Sequence, residues 1–156
     1  MMPLEIERKF LVDTEKLGKP GNGTRYRQGY LPAAGKTSVR VRISDGSAWL
    51  TLKGKTVGAT RLEFEYPVPV ADAEGILDSL CEGSVIDKTR HLVDHAGHTW
   101  EVDIFAGDNA GLVIAEVELD AEDEVVELPE WVAGEVTDDP RYYNANLVTN
   151  PYCNWK

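Results

Sequence analysis

The 156-residue chain has little cysteine, no surplus of positive charge and no long apolar run. Its two cysteines, Cys81 and Cys153, cannot build a disulfide framework, and no zinc-type spacing connects them. With 16 Lys plus Arg against 27 Asp plus Glu, the formal charge is −11. That balance excludes capture of nucleic acid or an anionic membrane by the averaged surface, because both polyanions are held by net-basic faces. No apolar stretch approaches the roughly 20 residues of a membrane-spanning helix. The opening Met1-Met2-Pro3-Leu4-Glu5-Ile6-Glu7-Arg8-Lys9 has no apolar segment of the signal-peptide kind, so a cytoplasmic setting is expected. No repeat, linker or low-complexity tract divides the chain, and residues 1–156 are expected to form a single domain.

What the chain does have is alternation. Apolar and polar residues alternate with period 2 in eight segments, the signature of strands: Leu4–Val12, Thr24–Leu31, Ser38–Ser44, Ala48–Lys53, Arg61–Val68, Ile86–Val93, Thr99–Phe105 and Leu112–Leu119. Ser44-Asp45-Gly46-Ser47 and Asp94-His95-Ala96-Gly97 read as hairpin connections. Strands at this spacing predict a mainly β fold, an antiparallel barrel of eight strands closed or nearly closed on itself. Helical signals are few. Asp72 is placed to cap a helix running to Cys81 with Ile76, Leu77 and Leu80 on its apolar face. Asp120–Leu128 reads as a short acidic helix ended by Pro129, and Asp139-Pro140 opens a last helix through Arg141–Val148.

Some motifs lead nowhere. Gly-Lys-Thr occurs at Gly35–Thr37 and Gly54–Thr56, but a phosphate loop needs a glycine five residues earlier, where Tyr30 and Trp49 stand. His91, His95 and His98 cluster at a hairpin without companion cysteines and read as surface histidines. There is no Gly-x-Ser-x-Gly elbow.

The informative pattern is which residues alternate. Glu5, Glu7 and Lys9 share one strand face; Arg40 and Arg42 share another; Lys53 follows Leu50-Thr51-Leu52. Glu63 and Glu65, Lys88 and Arg90, Glu101 and Asp103, and Glu116 and Glu118 complete the series. Each strand alone is explained by a wet outer face over a core. Parity does not say whether the charged face lies inside or outside a barrel. Taken together, however, the signs are segregated by strand, and like charges side by side repel. Segregation of that kind is relieved by a ligand of the missing sign. Paired carboxylates are the oxygen donors preferred by Mg²⁺ or Mn²⁺, and clustered Arg and Lys suit phosphate oxygens. A metal-bound polyphosphate satisfies both.

At these residues the sequence resembles the CYTH superfamily, the triphosphate tunnel metalloenzymes. Its Glu-x-Glu-x-Lys opening stands as Glu5-Ile6-Glu7-Arg8-Lys9, followed by Phe10-Leu11-Val12. The likeness continues through Arg27–Leu31, Val39–Arg42, Leu50–Lys53, Glu63–Tyr66, Lys88–Arg90, Trp100–Gly107, Glu116–Glu118 and Glu135–Asn144, and so covers nearly the whole chain. Short, single-domain bacterial inorganic triphosphatases are the members it resembles most.

The resemblance implies an eight-stranded closed tunnel barrel with a few peripheral helices, whose interior is lined by charge. It implies a hydrolase cleaving inorganic triphosphate (tripolyphosphate) to pyrophosphate and phosphate with Mg²⁺ or Mn²⁺. On that footing Glu5, Glu7, Asp103, Glu116 and Glu118 are expected to ligate metal, while Lys9, Arg40, Arg42, Lys53, Lys88 and Arg90 contact the triphosphate. Lys9 and Tyr30 are the candidates for direct catalysis. Glu63 and Glu65 match acidic positions that serve either a metal or neighbouring bases, and Glu101 reads as structural. The expected partner is a small polyphosphate, with no nucleic acid and no membrane, for a monomer or homodimer. Two alternatives stay open: a nucleotide-using member (an adenylate cyclase, or a nucleoside or thiamine triphosphatase) and a non-catalytic polyphosphate-binding module. A base pocket would mark the nucleotide users, with Tyr26, Tyr142 and Tyr143 as aromatic candidates.

Overall fold

The computed structural model describes residues 4–155. It contains β1 (Leu4–Val12), β2 (Thr24–Leu31), β3 (Ser38–Ser44), β4 (Ser47–Lys53), β5 (Thr60–Val68), β6 (Glu82–His95), β7 (His98–Phe105), β8 (Val113–Glu118) and β9 (Val132–Glu135). Eight of these strands close an antiparallel barrel in the order β5-β4-β3-β2-β6-β7-β8-β1, with β1 returning to pair with β5. One edge of β1 is shared: Leu4–Ile6 pair with β5, whereas Phe10 and Val12 pair with the short β9. Closure leaves no barrel edge to be covered.

The two expected hairpins turn on residues with positive φ, Asp45 (51°) with Gly46 (77°) and Ala96 (49°) with Gly97 (84°). Two consecutive left-handed residues give the turn whose twist matches the flanking strands. At β2, Gly29 leaves room for a neighbour, since a Cβ there would meet Cys81 Sγ at 2.8 Å and Leu77 Cδ2 at 2.9 Å.

Alternation then sorts the side chains. The charged residues are odd-numbered on β1 and β7 and even-numbered on β8, and the pairing register (Lys9 opposite Glu116, Glu116 opposite Glu101) sets them on one face, where all of the charged pattern but Asp103 lines the barrel interior. The apolar core therefore lies mainly outside the barrel wall. The helix α2 (Val70–Ser79, preceded by α1 at Thr14–Leu17) covers β3 and β4 by packing Ala73 and Leu77 onto Val41, Ile43 and Ala48. Trp131, Leu119 and partly buried Val126 cover Phe10, Trp100, Val102, Ala115 and Val117. At one end the inward face itself turns apolar: Ile86, Phe105 and Ile114 pack with Tyr142, Leu147 and Val148 of the C-terminal segment, which fills that end.

Four local expectations change. The acidic stretch Asp120–Leu128 is not helical. Its carboxylates repel at helical spacing and are used elsewhere: Glu122 accepts from the Ala59 amide at 2.9 Å, and Glu124 accepts from the Asp120 amide at 2.7 Å and pairs with His98. Helix α2 begins at Val70 after Pro69, so Asp72 lies in its first turn, where its charge suits the helix dipole, and Leu80 is exposed. The last helix is broken at Tyr143, whose ψ of 132° is extended, into a 3₁₀ turn (Pro140–Tyr142) and α3 (Asn144–Leu147). Strands β6 and β9 extend the expected set, β6 reaching back to Glu82 and β9 being new. Among the described residues no helix is long and apolar enough to cross a membrane.

Candidate active-site tunnel

The barrel encloses a cavity of about 600 Å³, within the roughly 300–1,000 Å³ usual for small-molecule sites. Its wall brings together Glu5, Glu7, Lys9, Tyr30, Arg40, Arg42, Lys53, Glu63, Glu65, Lys88, Arg90, Glu101, Glu116 and Glu118. Of the residues expected to ligate metal or contact the triphosphate, Asp103 alone is not on that wall, and of the aromatic candidates Tyr143 is on it while Tyr26 and Tyr142 are not. Asp103 is 1% exposed, and its oxygens are taken by Arg90 Nε (2.7 Å), Arg90 NH2 (2.9 Å) and Lys88 Nζ (2.8 Å).

Pairing of β3 with β4 sets Arg40 opposite Thr51, and β4 with β5 sets Thr51 opposite Glu65 and Lys53 opposite Glu63. Arg40 NH2 accordingly meets Thr51 Oγ1 at 3.2 Å and Glu65 at 3.6 Å. Lys53 Nζ donates to both Glu5 oxygens (2.8 and 2.9 Å) and approaches Glu63 at 3.1 Å. Glu63 and Glu65 thus face bases. Arg42 differs, because its Nε donates to the neutral Gln28 Oε1 at 2.9 Å, and no carboxylate pairs with it among the described residues. Burial, then the nearby Arg40 and Arg90, pull its guanidinium down to about 10. The Tyr26 ring lies between Arg42 and Arg90, 4.7 and 5.1 Å from their guanidinium carbons.

On the opposite wall, β1 and β8 pair Glu7 with Glu118 and Lys9 with Glu116. Lys9 Nζ donates to the Tyr142 carbonyl at 3.3 Å and stands 4.0 Å from Glu116. Burial first, then Glu116 and Glu5, push the Glu7 carboxyl well above the ordinary range. Burial also works to raise Glu116, but Lys9 and Arg90 outweigh it and hold that carboxyl well below. Burial and then Glu5 and Glu101 raise Glu118. Burial raises Glu5 too, yet Lys53 and Arg61 leave it lowered. The Lys88 ammonium, only 1% exposed, is pulled down to about 7 by burial, with Asp103 acting the other way.

Among the described residues no three His, Cys, Asp or Glu side chains stand as an assembled metal cluster. The donors nonetheless fit a hard divalent cation. They are carboxylate oxygens, and Glu7 is a buried carboxyl pressed by two others with no cation in ion-pair contact among the described residues. A bound cation removes that repulsion.

Several wall residues were not singled out as site residues in the sequence. Gln28 is fully buried on the tunnel face of β2, and Asn144 reaches in from α3. Lys36, Lys55 and Arg61 also line the cavity, Arg61 Nε lying 3.4 Å from Glu5. Parity could have found Gln28, which shares a face with Tyr26 and Tyr30 on β2, but an amide among charges is easily passed over. Tyr30 OH accepts weakly from Gln28 Nε2 at 3.4 Å.

Comparison with known proteins gives a consistent result. Residues 3–148 match the CYTH domain family. The chain is 50% identical over 155 residues to a curated inorganic triphosphatase of Acetivibrio thermocellus, covering 99% of each protein. It is 38% identical to an inorganic triphosphatase of Nitrosomonas europaea, covering 92% of this chain and 96% of the other. A crystal structure described as that of an inorganic triphosphatase superposes with a TM-score of 0.67 at 34% identity, over 92% of this chain and 93% of the other.

Proposed function

This chain belongs to the CYTH domain family, and from that we propose that it is a divalent-metal-dependent hydrolase of inorganic triphosphate, using Mg²⁺ or Mn²⁺. Its relatives named as inorganic triphosphatases, aligned over nearly the full chain, support the activity. The observation that carries the substrate choice is the state of the aromatic rings near the bases. Tyr26 is covered by Arg42 and Arg90, Tyr143 by Lys9, and Tyr142 by Arg141 and Trp155. Each of the three rings already has a cation over it, which competes with a stacking nucleobase, while the cavity is rich in phosphate-binding cations.

Arg42, lacking a carboxylate partner, together with Arg40, Lys53 and Lys9, binds and orients the phosphate chain. Arg90 and Lys88 extend the positive wall, and Asp103 holds these two in place. Glu7, Glu116 and Glu118, with Glu5 beside them, would hold the metal, which supplies charge neutralisation at phosphate oxygens and a more acidic water. Hydrolysis joins the water oxygen to a terminal phosphorus while the anhydride bond breaks and pyrophosphate leaves in line. Tyr30, with no base on its hydroxyl among the described residues, serves the wall rather than proton transfer.

The test is a substrate panel of tripolyphosphate, ATP and thiamine triphosphate with Mg²⁺ or Mn²⁺. The expected result is a kcat/KM for tripolyphosphate at least about tenfold above the other two, lost in excess EDTA. Preferential formation of cAMP from ATP, or full activity in EDTA, would overturn the reading.

A further inference from the structure

Asn144 is the point where the C-terminal segment enters the charged tunnel, and the hydrogen-bond chain around it admits one arrangement. Arg42 Nε can only donate, so Gln28 must present Oε1 to it, at 2.9 Å. The Gln28 amide nitrogen is then turned to Asn144, which must present Oδ1, at 3.2 Å. Lys88 Nζ donates to the same Oδ1 at 3.1 Å. Two independent donors thus fix the Asn144 amide, and its Nδ2 is left without a protein partner among the described residues. That nitrogen is not among the buried orphan atoms, and Asn144 lines the cavity.

The Lys88 ammonium is differently placed. It is 1% exposed, bonded to Asp103 at 2.8 Å and to Asn144, and stands 5.5 Å above the Phe105 ring. Two of its donors are spent on Asp103 and Asn144. We propose that Asn144 Nδ2 is a substrate-contacting group, a neutral donor to a phosphate oxygen at the apolar-plugged end of the tunnel, and that Lys88 acts at this end by holding the Asn144 amide in that orientation. The inference rests on the triphosphate reading of the same tunnel. It makes the C-terminal segment part of the binding site and not only a cover over Ile86, Phe105 and Ile114.

Asn144→Asp, read at high salt, separates contact from support. The new carboxylate still accepts from Gln28 and Lys88, so a purely supporting role predicts only the long-range repulsion of a polyanion by the new charge, which salt screens. A contact role predicts loss that persists in about 1 M salt, because an anionic oxygen replaces the free N–H facing phosphate. Tripolyphosphate is titrated calorimetrically into the full-length protein in EDTA and about 1 M salt, and KM and kcat are measured with metal. The expected result is an unchanged melting temperature, tenfold or greater weakening of metal-free tripolyphosphate binding, and a matching rise in KM that exceeds any fall in kcat; a hydrogen bond to a charged group is worth about that factor. Binding within twofold of wild type overturns the proposal. If Asn144→Asp melts at a different temperature, Asn144→Ala decides: it must weaken binding about tenfold, and unchanged binding refutes the contact. Wild-type protein that neither binds nor hydrolyses tripolyphosphate would instead overturn the functional reading, and this inference with it.

Discussion

The β6–β7 wall of the tunnel and the β1–β8 wall facing it carry charge in different ways. On β6–β7, Arg90 lays its fork on Asp103 (2.7 and 2.9 Å), reaches Glu101 at 3.0 Å, and shares Asp103 with Lys88. Two bases and two acids on those strands are mutually satisfied. On β1–β8, Lys9 is set among Glu5, Glu7, Glu116 and Glu118, and among the described residues its one carboxylate contact within ion-pair distance is Glu116 at 4.0 Å. The first wall is neutral and fixed by its own bonds. The second holds like charges together: Lys53 and Arg61 answer Glu5, and Lys9 and Arg90 answer Glu116, but Glu7 and Glu118 keep raised carboxyls. A tunnel built this way fixes Arg90 and Lys88 by its own bonds and leaves its electrostatic strain at Glu7 and Glu118.

The largest effect should come from damaging the strained wall. Glu116→Gln removes the carboxylate that stays ionised there, and kcat for tripolyphosphate should fall on the order of 10²–10³-fold at saturating metal, the usual scale for losing a charge-stabilising group. The β6–β7 residue Glu101, bound to Arg90, should cost far less when changed to Gln, about tenfold or under. Steady-state kinetics on the two variants decide the matter. Equal losses would erase the distinction between the walls.

The sequence made the walls legible because charge at period 2 reports strand face directly. Glu5-x-Glu7-x-Lys9 and Arg40-x-Arg42 fall on one side of β1 and β3, as the spacing predicts. Eight of the nine strands were readable for the same reason. β9 was not: its four residues, Val-Ala-Gly-Glu, are too short to show a period, and pairing with the free half of the β1 edge creates it. The Asp120–Leu128 stretch misleads because composition suggests a helix, while its carboxylates find better partners in the Ala59 amide and His98. Within the site, the charged members were visible, but the amides joining them, Gln28 and Asn144, are 116 residues apart. Only the fold brings them together. Pairing of acids with bases across strands was likewise invisible, since nothing in the sequence joins Asp103 to Arg90 and Lys88.

A smaller effect, but one of opposite sign within a single wall, is expected in stability. Glu7 has its carboxyl raised above 4.5, so the folded metal-free protein binds more protons than the unfolded chain as pH rises from about 4.5, and stability falls with pH through that window. Glu116 is lowered below 4.5, so it contributes stability that is present at neutral pH and lost as the solution is acidified through its folded pKa. Glu7→Gln should therefore raise stability at pH 7.5 in EDTA by about 1–2 kcal/mol, or roughly 2–8 °C in Tm. Glu116→Gln should lower it by a similar amount. The Glu7→Gln gain should shrink toward pH 4.5. Thermal melts across pH 4.5–8 measure both, and a Glu7→Gln protein that melts lower than wild type at neutral pH would show that the wall is not strained.

The smallest effect belongs to a pair that copies the tunnel geometry on the outside of the barrel. Arg25 Nε and NH2 meet the two Asp87 oxygens at 2.9 and 2.7 Å, nearly the fork that Arg90 makes with Asp103 at 2.7 and 2.9 Å. The two pairs differ in burial, with side chains 64% and 30% exposed outside against 10% and 1% inside. Water and salt screen the outer pair, and holding a long arginine still costs entropy that offsets most of its attraction. Removing Arg90 instead leaves Asp103 buried with one base fewer, a cost on the order of 3–5 kcal/mol. Arg25→Ala should then leave the melting temperature and the KM for tripolyphosphate indistinguishable from wild type in 0.15 M salt, while Arg90→Ala loses both stability and substrate affinity. A measurable KM change in Arg25→Ala would mean that the outer face of β2 communicates with the tunnel, and that burial alone does not separate these two otherwise matching forks.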